Sequence, residues 1–145
     1  MNPNRRFALA ALALMPLATP TFAQSAWPAA KPITWVVPFT PGGSTDVIGR
    51  TLANKLQDAL KQSVVVENKP GQGGGIGAAY VAKAPADGYT LFGGTISTHA
   101  INASLYKNLP YDPVKSFEPV SLVATLPNVL IINPALGGRS VRELI

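Results

Sequence analysis

The sequence predicts an α/β fold with a parallel sheet flanked by helices. Strand-like and helix-like stretches alternate between residues 33 and 92, and the strand-to-strand links are long enough for helical crossovers. Three runs read as strands. Ile33 to Phe39 is β-branched and aromatic, Val64 to Val66 is all valine, and Tyr89 to Phe92 ends at Gly93-Gly94. The first link carries Ile48, Leu52, Leu56 and Leu60 at i+4 spacing, the apolar stripe of a helix lying on a core. Ser44 or Thr45 is expected to cap that helix after the Pro41-Gly42-Gly43 turn. Ile76 to Lys83, rich in alanine, predicts the second helix, and Pro85-Ala86-Asp87-Gly88 a turn. A short helix is expected near Ala100 to Tyr106, before a polar, proline-punctuated stretch from Asn108 to Pro119. Val120 to Ala124 and Val129 to Ile132 read as two more strands around Leu126-Pro127-Asn128. The break at Pro127 is the expected crossing into a second domain.

The two ends bear on export and completeness. Arg5 and Arg6 precede an apolar run from Phe7 to Leu17, and Thr21-Phe22-Ala23 offers small residues to a signal peptidase. That order predicts a secretory signal over residues 1–23, with Gln24 as the new terminus. Arg5-Arg6-Phe7 leaves the choice between general and twin-arginine export open. The run is shorter than the roughly 20 apolar residues of a membrane span, and no later stretch is longer, so the mature protein is not expected to be membrane-inserted. At the other end, Ser140-Val141-Arg142-Glu143 fits a helix capping box, with Leu144 and Ile145 opening an apolar face. This start of a helix predicts a chain that continues. The expected organisation is therefore a first α/β domain over residues 24–124 and an incomplete crossover into a second over residues 125–145.

Composition removes several function classes. Of 12 basic residues, Arg5 and Arg6 leave with the signal, so the mature balance against 7 acidic residues is 10 − 7 = +3. The remaining cations are scattered singly and read as solvated, unlike the clustered surface a nucleic acid needs. The absence of cysteine excludes disulfides, thiolate nucleophiles and Cys-ligated zinc. His99 is the single histidine, without the companions of a metal site or an acid–base pair, and neither Gly-x-Ser-x-Gly nor His-Glu-x-x-His occurs. No catalytic residue, metal or cofactor is expected.

Two loops carry the candidate binding chemistry. Phe39, Thr40, Gly42, Gly43, Ser44, Thr45 and Asp46 join a buried strand to a helix N-terminus. Unpaired backbone N–H groups and the positive end of the helix dipole there make an anion site without a cationic side chain. Asp46 favours the dipole but would repel an anion if it faced the loop, unless it met a ligand amine or a bridging water. Gly94, Thr95, Ser97 and His99 follow the third strand. In a 2-1-3 strand order this loop faces the first across the ligand crevice. Gly71 to Gly77 mimics a dinucleotide fingerprint, but the third glycine of the pattern falls on Ile76, and no Gly-Lys-Ser/Thr follows. The same strand order puts that loop to one side, where tight packing is its expected role.

These motifs, in order, resemble the Bug-type substrate-binding proteins of tripartite tricarboxylate transporters. The resemblance runs over nearly all of Lys31 to Ile145. It includes V-x-P-F-x-P-G-G-x-x-D at Val36 to Asp46 with Arg50 following, and V-E-N-K-P-G-x-G-G at Val66 to Gly74. Ile76-Gly77-Ala78, Ala86 to Leu91, Leu109 to Asp112 and Phe117 to Val120 continue it. It implies a two-domain, type II periplasmic-binding-protein fold, here truncated after domain 1 and the start of domain 2. It further implies a monomer in the periplasm that grips a small carboxylate through the loop after the first strand and delivers it to integral-membrane transporter subunits. The ligands it implies are di- and tricarboxylates, acidic amino acids or aromatic acids. A ligand sensor that presents its bound form to a membrane receptor would need the same pocket. A nucleotide-dependent enzyme is the remaining alternative.

Overall fold

The computed structural model describes residues 27–138 and 140–145, so the expected signal sequence and its cleavage site lie outside the described residues. Strand β1 (Ile33–Val37) is central, with β2 (Val64–Asn68) and β3 (Thr90–Phe92) on either side in the order β2-β1-β3. Both pairings are parallel. Ile33 aligns with Val64 and Val37 with Asn68, while Thr34 to Val36 align with Thr90 to Phe92. The largely apolar sequence of the middle strand, interrupted by the half-buried Thr34, follows from its position, because Ile33, Val36 and Val37 are buried completely.

Helix α1 (Ser44–Leu60) links β1 to β2, and α2 (Gly75–Ala82) links β2 to β3. The two crossovers run in opposite directions across the sheet, so a common right hand puts the helices on opposite faces. Ile33, Trp35 and Val37 point to the α1 face and form a core with Ala53, Val64 and Tyr89, with Leu52, Leu56 and Leu60 packed against it. The closest approach is at Gly49, where a Cβ would lie 2.8 Å from Trp35 Nε1 and 3.2 Å from Val37 Cγ2. The other face receives α2 through Gly77, where a Cβ would lie 3.0 Å from both Pro38 Cα and the Lys69 carbonyl oxygen. Ala78 is fully buried beside it.

Four expectations need correction. Gly43, not Ser44 or Thr45, is the N-cap of α1, and no side chain caps it. The helical segment after β3 begins earlier than expected, as a wide turn over Ser97–Ile101 that runs into α3 (Asn102–Leu105). Ser97 and His99 thus sit on a helical turn rather than in a loop. Val120 to Ala124 and Val129 to Ile132 form no strand. A strand needs a partner ladder, and among the described residues none lies alongside, so Val120 and Ile131 remain 87% and 84% exposed. Arg50, read as solvated, is tied to two side chains described below. At the end of the chain Ser140 Oγ accepts from the Glu143 N–H at 3.3 Å and caps α4 (Val141–Leu144), as the capping-box pattern predicts.

Candidate functional site

The loop after β1 is shaped by Asp46, in the first turn of α1. Its Oδ2 accepts from the Gly42 N–H at 2.9 Å and from Arg50 Nε at 3.0 Å, and its Oδ1 accepts from Asn68 Nδ2 at 2.9 Å. Asn68 ends β2, and the same Nδ2 also donates to the Phe39 carbonyl at 3.1 Å. Arg50 Nη2 donates to Asn68 Oδ1 at 3.0 Å, which closes the ring of contacts. The Arg50 hydrogen bond, then those from Gly42 and Asn68, hold the Asp46 carboxyl far below the usual carboxylate range. The Asp46 charge in turn raises Arg50. Asp46 is buried and its oxygens are directed inward, so it shapes the loop from beneath.

This leaves the rim of the loop uncharged and rich in donors. Gly42 has φ +87°, a turn that L side chains rarely adopt, and its N–H is taken by Asp46. Gly43 has ordinary extended angles, φ −76° and ψ 168°. The first bond of the helical ladder runs from the Val47 N–H to the Gly43 carbonyl at 3.0 Å. The N–H groups of Gly43, Ser44, Thr45 and Asp46 therefore precede the ladder, at the positive end of a 17-residue helix. Gly42, Gly43 and Ser44 are exposed, and Thr45 is half-buried.

The strand order brings the loop after β3 alongside. The Gly93 N–H donates to the Val36 carbonyl at 2.9 Å, and a Cβ on Gly93 would lie 3.3 Å from Trp35 Nε1 and 3.7 Å from Thr45 Cγ2. Thr95 is pinned from within. Thr98 Oγ1 accepts from the Thr95 N–H and donates to its carbonyl, both at 3.0 Å, while the Thr95 hydroxyl is buried with no hydrogen-bond partner among the described residues. His99 Nδ1 is 2.9 Å from the same Thr98 oxygen. The imidazole edge covers Gly94, where a Cβ would lie 2.6 Å from Cε1. Its ring packs against the stacked pair of Phe92 and Phe117, with centroids 5.9 and 5.0 Å away.

Thr40, Gly42, Gly43, Ser44 and Thr45 thus share one rim, with Phe39 half-buried behind it, and Gly94 and Thr95 follow Gly93 along the neighbouring edge. Ser97 and His99 lie further along the wide turn, and among the described residues no hydrogen bond or ring contact joins them to residues 39–46. Sequence reasoning missed Asn68, Thr98 and Arg50 as the residues that hold both loops. The signal for Arg50 was present, since it stands at i+4 from Asp46, a spacing that pairs opposite charges on a helix. The Gly71 to Gly77 loop packs tightly underneath. A Cβ on Gly74, φ +87°, would lie 2.7 Å from Thr98 Cγ2 and 3.1 Å from Pro38 Cβ. Asn102 Nδ2 secures the same loop by donating to the Gly73 carbonyl at 3.2 Å. Among the described residues no cluster of His, Cys, Asp and Glu could hold a metal ion, and no helix is long and apolar enough to cross a membrane.

Comparison with known proteins agrees with this architecture. Residues 48–145 match the tripartite tricarboxylate transporter family receptor, TctC. The chain is 49% identical over 117 residues to the protein BugT of Bordetella pertussis, covering 80% of this chain and 36% of that one. MatC from Rhodopseudomonas palustris, solved with bound malate, is 39% identical with a TM-score of 0.63, covering 66% of this chain and 32% of that one. A second R. palustris protein, solved with adipate, is 48% identical with a TM-score of 0.58, covering 61% and 29%. The chain spans 36–43% of the length of the first curated relatives it matches. It belongs to the tripartite tricarboxylate transporter receptor family, among the Bug-type periplasmic binding proteins.

Proposed function

We propose that the full-length protein is a periplasmic solute-binding protein that captures a small carboxylate for a tripartite tricarboxylate-type transporter. The observation that carries this reading is the uncharged rim at Gly43, Ser44 and Thr45. Its N–H groups precede the α1 ladder, and its one nearby carboxylate, Asp46, is turned inward and neutralised by Arg50. An anion placed there meets backbone donors and the helix dipole with no salt bridge. The buried, unpaired Thr95 hydroxyl supplies a further hydrogen-bonding group on the neighbouring edge. Phe39, Thr40, Gly42, Gly94, Ser97 and His99 complete the candidate set. Malate and adipate, bound in two related structures, are the first ligands to test.

The protein holds its ligand unchanged and uses no cofactor. It works as a monomer, with residues 24–124 in the first domain and residues 125–145 leading into the second. Calorimetric titration of the full-length protein with malate, adipate, citrate, glutamate and benzoate, followed by product analysis, tests this. Saturable binding of an acid recovered intact is expected. Tight binding of NAD or ATP, or a converted acid, would contradict it. Export is tested by N-terminal sequencing of periplasmic material, which should start at Gln24; a cytosolic pool retaining Met1 would count against the signal sequence.

A further inference from the structure

We propose that Asn68 is the positioning residue of the anion loop, the single side chain through which the end of β2 sets the attitude of the Gly42–Thr45 rim. This deepens the carboxylate-binding reading and rests on it for its effect on affinity. Asn68 donates through one nitrogen to the Phe39 carbonyl, on the strand side of the loop, and to Asp46 Oδ1, on the helix side, at 3.1 and 2.9 Å. Its oxygen accepts from Arg50 at 3.0 Å. Asp46 transmits the constraint onward by accepting from the Gly42 N–H at 2.9 Å. The chain of contacts spans β2, α1 and both ends of the loop, and Asn68 is its member outside the loop and helix. An amide is required there. The Phe39 oxygen and Asp46 Oδ1 each need a donor, while Arg50 needs an acceptor, and the Asn68 amide supplies two N–H hydrogens and a carbonyl oxygen on one planar group. Among the described residues nothing else ties the Phe39 carbonyl: the adjacent backbone bond, from the Lys69 N–H to the Val37 carbonyl at 2.8 Å, holds the strand before the loop begins.

Two substitutions in the full-length protein test the assignment. Asn68→Ala removes the donor. Hydrogen exchange at the Gly42 amide should accelerate by about tenfold or more, the scale of one lost charge-assisted hydrogen bond. Thr34 and Gly93 amides, which bond across the sheet to Tyr89 and Val36, should keep their protection. Affinity for malate or adipate, whichever the parent protein binds, should fall by a similar factor. Asn68→Asp replaces the amide by a carboxyl that faces Asp46 and Arg50 from α1, with the paired Glu67 and Lys69 flanking it in sequence. While protonated it can still donate to Asp46; once ionised it repels it. Its affinity, taken as a ratio to that of the parent protein at the same pH, should therefore drop as pH rises through the carboxylate range, from about 4 to 6. Unchanged exchange at Gly42 in Asn68→Ala would overturn the proposal, as would equal acceleration at Thr34, the mark of a merely structural residue. A pH-independent ratio of Asn68→Asp to parent affinity, in a protein that binds acid, would overturn it as well. If the parent protein binds none of the five acids titrated above, the carboxylate reading fails, and the exchange comparison still decides the role of Asn68.

Discussion

Asp46 shows how one residue can be placed by sequence while its direction stays open. A carboxylate in the first turn of an anion-binding helix is electrostatically contradictory until its partners are known. Burial against Arg50, the Gly42 N–H and Asn68 resolves the contradiction, because the charge is consumed within the protein. The sequence displayed the i,i+4 pair but could not show Asn68, which is 22 residues away and arrives only when β2 pairs in register with β1. Acid titration tests this. A carboxyl whose folded pKa lies below its ordinary 3.8 stabilises the fold fully above that value, and the contribution is lost as pH falls toward the folded pKa. Lys31 lowers Asp87, and backbone N–H groups of Lys115 and Val114 lower Asp112, so they add losses of the same sign. Stability of the parent protein should thus decline below about pH 4. Asp46→Asn should be less stable at pH 7 and decline less steeply in acid. Melting curves from pH 2.5 to 7 decide it, and parallel slopes for the two proteins would contradict the assignment.

At the scale of elements, the core strands were legible because a central parallel strand must be apolar on both faces, and Ile33 to Val37 has no other plausible state. The helix stripe was legible too, although the deepest contacts of α1 are not its leucines. Gly49 and Ala53 are the buried small residues that let the helix approach Trp35, while Leu52, Leu56 and Leu60 pack around the margin. A hydrophobic pattern cannot reveal that, since glycine in a helix registers only as a weak helix former. Gly49→Ala should consequently destabilise, despite its better helix propensity, by about 1–3 kcal/mol from overpacking against Trp35 and Val37. Chemical denaturation measures this, and a more stable variant would mean that the helix rides higher on the sheet. The strands expected at Val120 to Ala124 and Val129 to Ile132 failed for a different reason. Strand propensity describes a fit to a half-buried surface, and the described residues offer none alongside.

For the whole molecule, the two halves of the binding argument have unequal support in the fold. Gly42, Gly43, Ser44 and Thr45 form one continuous rim beside Gly93, whereas Ser97 and His99 belong to a wide turn that the sequence read as a loop. The rim was legible because two glycines between a buried strand and a helical stripe leave little other use. The Phe92, His99 and Phe117 packing was not, because Phe117 is 25 residues beyond Phe92 with no periodicity to connect them. The fold also separates the glycines by role. A Cβ on Gly43 would meet nothing closer than the Thr40 carbonyl oxygen at 3.8 Å, at backbone angles valine tolerates, so the fold does not require glycine there. Gly74, at φ +87° and 2.7 Å from Thr98, is required by packing. Titration of full-length Gly43→Val and Gly74→Val with the parent protein's acid, alongside matched melting curves, is the most direct test that the rim grips a carboxylate. Gly43→Val should melt near the parent protein and lose about tenfold to a hundredfold in affinity, the cost of one or more charge-assisted hydrogen bonds. Gly74→Val should melt markedly lower, because its side chain must displace Thr98 and Pro38. Undiminished binding by Gly43→Val, or its loss in Gly74→Val alone, would contradict the assignment of the site.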